Sequence, residues 1–164
     1  MERADQTETM RHIPSLEEVR RRVGSIYRSR LDRALTALTH PDLPGPIRER
    51  GEEELARVTR WLGRVAELTP RGGHPHRHEE ADPISRVQGA LDGAVEALER
   101  LDRAQFGRRA PSRRFEQSGS EPLWQAVLAT GTTITLLLET LSAFDRDLWW
   151  NLLDPNAPEP VMMQ

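Results

Sequence analysis

The densest group of metal-ligating side chains is His74-Pro75-His76-Arg77-His78-Glu79-Glu80, three imidazoles and two carboxylates within seven residues. Neutral imidazole together with carboxylate is a donor set for zinc, nickel or copper. Alternate residues of an extended chain project to one side about 6.6–7 Å apart. His74, His76 and His78 therefore close on one ion only where the loop curls, and Pro75 and Arg77 resist that curl. The segment has two readings: a site for a divalent transition metal such as zinc or nickel, in a metal-binding protein or metal-dependent enzyme, or a histidine-rich solvated loop.

A second group is Arg108-Arg109-Ala110-Pro111-Ser112-Arg113-Arg114-Phe115, four guanidiniums and an aromatic ring opposed nearby only by Glu116. Guanidinium forks grip phosphate or carboxylate in two places, and Phe115 offers a stacking surface. Such a loop suits an acidic helix, a phosphorylated protein or RNA, and the alternative is again a solvated loop. Third come Trp149 and Trp150. Neighbouring helical residues point about 100° apart, so one ring can enter the core while the other stays outside as an anchor for a partner protein. Both can equally pack beneath the loops.

Two acidic arrangements complete the candidates. Glu139 is the lone charge in the run Ile134 to Leu141. Buried alone it would become a general acid, paired with an arginine or standing partly exposed it would be structural, and beside Trp124 it could line an internal ligand pocket. Glu49-x-x-Glu52 with Glu79-x-x-Asp82 resembles, over those four residues, the paired acidic motifs of all-helical nucleotide pyrophosphohydrolases, which implies magnesium between two acidic helices. If the two helices run antiparallel, however, their starts lie about 30 Å apart.

Several chemistries are excluded outright. The chain has no cysteine, hence no disulfide, thiolate metal site or cysteine nucleophile. All 23 basic residues are arginine, so no Walker lysine exists, and neither Gly-x-Gly-x-x-Gly nor Gly-x-Ser-x-Gly occurs. A net charge of −3 is the wrong sign for a general nucleic-acid coat.

The elements that must position these residues are helices. The 164 residues suit one domain, and 37% apolar with 30% charged residues suits amphipathic helices with broad wet faces. Ser15-Leu16-Glu17-Glu18 has the form of a capping box. It opens a first helix whose stripe is Leu16, Val19, Val23, Ile26, Leu31, Leu35 and Leu38, ended by His40-Pro41. Pro46 opens a second, with Ile47, Leu55, Val58, Trp61, Leu62, Val65 and Leu68 along one stripe. Asp82-Pro83 opens a third, with Ile84, Val87, Leu91, Val95, Leu98 and Leu101. Glu121-Pro122 opens a fourth, expected to run to Leu153. Gly89 and Gly93, one turn apart among alanines, point to a close helix contact.

The first three helices come to roughly 23–24 residues each, about 35 Å. Matched lengths predict an all-α, four-helix up-and-down antiparallel bundle over residues 15–153, with a flexible segment 1–14 before it and a Pro-rich tail 154–164 after it. The fourth helix is so poor in charge that it is expected to be the central helix or half of a homodimer interface. Glu139 and its Ser/Thr residues argue against a membrane span. The polar start, without a signal-like apolar core, points to the cytoplasm. The expectation for function is a non-catalytic helical protein–protein interaction or adaptor module, with Trp149, Trp150, Arg108, Arg109, Arg113, Arg114 and Phe115 on the partner and no cofactor. The alternatives are the metal protein built on His74, His76 and His78 and a small-ligand-binding bundle.

Overall fold

The computed structural model describes residues 15–69, 82–106 and 120–148. Among them there is no strand, and the fold is all-α. Helix α1 is Leu16–Arg21. It continues without a break through a π-helical turn, Arg22–Tyr27, into α2, Arg28–Leu38. Helix α3 is Gly45–Leu68, α4 is Pro83–Phe106 and α5 is Ser120–Leu141.

Local chemistry sets these limits. The Ser15 hydroxyl accepts from the Glu18 amide at 3.2 Å, the expected N-cap. In the first stripe the step from Ile26 to Leu31 is five residues, more than a helical turn. The π turn absorbs the extra residue, so Leu16, Val19, Val23, Ile26, Tyr27, Leu31, Leu35 and Leu38 are all buried along one rod. Arg48 closes the rod by donating to the Leu38 carbonyl at 2.6 Å and the His40 carbonyl at 3.0 Å. Asp82 caps α4, its carboxylate accepting from the Ile84 amide at 3.3 Å and the Ser85 hydroxyl at 2.9 Å. Gly89 and Gly93 are buried on α4.

Cross-helix pairs fix the directions of the rods. Gly24 faces Val95, Arg28 pairs with Asp92, and Arg20 and Glu99 line one cleft, so the α1–α2 rod runs antiparallel to α4. Along α5 the partners ascend together: Arg22 lies over Trp124, Tyr27 bonds to Val127, and Arg30 bonds to Thr135. The rod is therefore parallel to α5. Helix α3 starts where α5 ends, with Gly51 against Leu141 and Glu54 on Thr140, and packs back along it in the opposite sense.

It follows that α3 and α4 run the same way, their starts at one end of the molecule. Strict up-and-down alternation, which requires the first and third helices to be parallel, does not hold. The interval between Leu68 and Pro83 is long enough for this, since an extended chain reaches about 3.3–3.6 Å per residue.

The fourth helix also departs from expectation. It is not central, because Glu121, Gln125, Leu128, Thr132, Leu136 and Glu139 face outward. The opposite side, with Leu123, Val127, Ile134, Leu137, Leu138 and Leu141, is fully buried. Neutral polar residues and leucines, not charges, make its wet face. Nor does the helix run to Leu153. The Phe144 amide turns back to the Leu141 carbonyl at 2.9 Å, and the Asp145 carboxylate accepts from the Asp147 amide at 3.1 Å, capping a new short turn that buries Leu148. Among the described residues no helix is long and apolar enough to cross a membrane.

Candidate functional site

Three places concentrate chemistry. The first is where the π turn crosses α5. Tyr27 is buried and donates to the Val127 carbonyl at 2.9 Å. A Cβ on Gly131 would overlap the Tyr27 hydroxyl and sit 3.0 Å from Cζ, so only glycine fits there. Burial pushes the Tyr27 phenol above its ordinary value, against the pull of the Arg22 and Arg30 cations. The Arg22 guanidinium also lies 5.3 Å from the Trp124 ring centroid, a cation–π contact. These contacts lock two helices together. No reacting group is presented to a cleft by them.

The second is Glu54, 4% exposed. Its Oε2 accepts from the Thr140 hydroxyl at 2.9 Å and lies 3.7 Å from Arg50 Nε. Its Oε1 is buried without a hydrogen-bond partner. The sequence did carry a sign of this: the second stripe leaps from Ile47 to Leu55, and positions 51 and 54, one and two turns on, must fill the gap. Gly51 fills it because Leu38 and Leu141 press on it, a Cβ there falling 2.9 Å from Leu38 Cδ2.

Glu139 is exposed, one of the readings its sequence allows, and so is neither a buried general acid nor a core partner of arginine. It stands fifteen residues from Trp124 on one helix, about 22 Å along the axis at ~1.5 Å per residue. The two cannot share an internal pocket.

The third place is the outer surface of α3 and α5. The large apolar side chains most exposed among the described residues are Trp61 at 38%, Leu128 at 37% and Leu136 at 43%, and all three lie on these two helices. Trp61 is thus outside the core to which its stripe had assigned it. Leu62, one residue on, takes the inner place.

The remaining sequence candidates, His74, His76, His78, Arg108, Arg109, Arg113, Arg114, Phe115, Trp149 and Trp150, lie outside the described residues. Glu79 does as well. Glu49, Glu52 and Asp82 are described, and the parallel course of α3 and α4 puts them at the same end of the molecule, not about 30 Å apart. Both Asp82 oxygens are engaged in capping α4, however, and among the described residues no three His, Cys, Asp or Glu side chains are grouped to hold a metal ion. No protein-family model matches the chain, and neither a curated protein nor a solved structure matches it.

Proposed function

We propose that the protein is a non-catalytic helical interaction module that binds a partner protein through the outer surface of α3 and α5. The observation that carries this reading is the gathering of Trp61, Leu128 and Leu136 on two helices packed along each other, while no other described helix exposes a large apolar side chain to that degree. Between Glu121 and Glu139 the outward face of α5 has no charged residue. Removing such a face from water costs little desolvation, unlike a charged one. Aromatic and aliphatic anchors of this kind dominate interface energetics.

Homodimerisation through α5 is one form of this proposal, and Trp149, Trp150 and the arginine loop belong to the same reading as further anchor and charge. A standard interface buries about 800 Å² per partner, more than three half-exposed side chains supply, so the expected contact is modest unless further surface joins it. Affinity capture with the wild-type protein and with Trp61→Ala/Leu136→Glu tests the proposal. Loss of captured protein, with the melting curve unchanged, supports it. Equal capture by both forms removes α3 and α5 as the contact surface.

A further inference from the structure

On the premise that this surface is a docking face, we infer that its partner is an acidic amphipathic helix, seated along the seam of α3 and α5 with its carboxylates on Arg57, Arg60 and Arg64. Two observations meet here. The first is placement. On a helix of 3.6 residues per turn, Trp61 and Glu54 both lie on the same side of Arg57, about 40° and 60° round. Glu54 touches Thr140 of α5, so Trp61 leans toward α5 and not toward α4. Continuing the antiparallel register from Gly51 against Leu141 and Glu54 against Thr140 brings Trp61 opposite residues 131–133, about one turn from Leu136. Trp61 and Leu136 thus border one groove, Leu136 standing about 40° round α5 from Thr140, whereas Leu128 lies about 80° further round, on the side of Thr135 and Trp124 that meets the rod.

The second observation is charge. From Leu55 to Ala66 the helix carries Arg57, Arg60 and Arg64 and no acid. All three are exposed and fall within about 60° of one another. Arg64 pairs with Glu67 at 3.4 Å, both half in water. Arg57 and Arg60 have no ion pair among the described residues. In a chain of net charge −3 this is a local excess of cation beside exposed apolar side chains.

The three arginines span about 10 Å along the axis. Carboxylates placed three, four and seven residues apart on a second helix match that spacing, and an apolar flank on the same helix covers Trp61 and Leu136. This is the helix-in-groove mode of recognition, with the charges selecting the partner.

The test uses the full chain and two fluorescent helical peptides with the same leucine face, one flanked by glutamates and one by arginines, followed by anisotropy at low and physiological salt. The glutamate peptide is expected to bind at least tenfold more tightly, to weaken with salt, and to lose that preference on Arg57→Glu/Arg60→Glu, a surface change that leaves the melting temperature in place. Equal binding of both peptides, abolished by Trp61→Ala/Leu136→Glu, overturns the acidic partner while leaving the docking face intact. Binding of neither peptide, with the protein self-associating in light scattering, makes a second copy the occupant. Preference for a single-stranded oligonucleotide over both peptides makes the stripe a phosphate site. Either of the last two results overturns the inference.

Discussion

Gly131→Ala measures how tightly the π turn is clamped to α5. A helix-interior alanine is worth about 1 kcal/mol over glycine, so on propensity alone the change stabilises. The structure predicts the opposite. The new Cβ overlaps the Tyr27 hydroxyl and approaches Cζ to 3.0 Å and Cε1 to 3.3 Å, and the ring cannot retreat without leaving the Val127 carbonyl. Stranding the buried hydroxyl costs about 1–3 kcal/mol, and forcing the ring aside in a packed core costs about 1–3 kcal/mol more. After the propensity gain the net loss is about 1–5 kcal/mol, or ~2–4 °C of melting temperature for each kcal/mol in a domain of this size. Tyr27→Phe removes the atom nearest the new methyl and its need for a partner. The double variant is therefore expected to be more stable than the simple sum of the two single losses. Chemical denaturation of the four proteins gives the cycle. A Gly131→Ala protein as stable as wild type, or strict additivity in the double variant, refutes the clamp.

The same tyrosine makes an alkaline prediction. The unfolded phenol ionises near pH 10, and the folded one, its pKa raised by burial, only above that. Stability is whole below pH 10 and falls as pH rises past it. The chain has one tyrosine, no lysine and no cysteine, so the alkaline loss of melting temperature is expected to flatten in Tyr27→Phe, and equal slopes in the two proteins contradict the burial argument. At Gly63 a Cβ meets nothing within 4 Å, so Gly63→Ala should raise stability by about 1 kcal/mol by denaturant melts. Thr140→Val takes the hydroxyl from Glu54 and should cost about 1–3 kcal/mol, most of it regained by adding Glu54→Leu; no regain means the carboxylate is satisfied some other way. Zinc and nickel should leave the melting temperature unchanged if residues 74–80 are a solvated loop, whereas a rise abolished by His74→Ala, His76→Ala and His78→Ala marks a metal site.

Helix starts were legible because each rests on a local device: a serine hydroxyl, a first-turn proline, an aspartate beside a proline. The buried stripes were legible from spacing, but the π turn was not: the five-residue step from Ile26 to Leu31 shows its meaning only beside the backbone. Direction was not. Equal helix lengths are compatible with either sense of packing, and the sense is set by long-range pairs such as Gly24 with Val95 and Glu54 with Thr140, which leave no trace in local spacing. Which of Trp61 and Leu62 turned inward was equally hidden, since both sit within reach of the same stripe. The end of α5 is hidden in the sequence because Asp145 and the tryptophans continue a helical pattern, while the aspartate's own hydrogen bonds begin a new turn.

The misreading of α5 as a central helix has one cause, which also bears on function. Lack of charge is not lack of a wet face. Thr130 and Thr133 are buried because their hydroxyls return to the Ala126 and Ala129 carbonyls at 2.8 Å, spending their polarity inside the helix. Gln125, Thr132 and the two leucines are meanwhile turned to water. Charged outer faces resist burial because each ion would lose its hydration. The face of α5 lacks that barrier, and the neighbouring arginines of α3 supply in its place a condition on the sign of whatever covers it. Leu128→Glu/Leu136→Glu restores the missing barrier at modest expected cost to folding, since both side chains already reach water, at 37% and 43% exposure, and should abolish binding of the glutamate-flanked peptide. Binding that survives this change would place the contact elsewhere on the molecule.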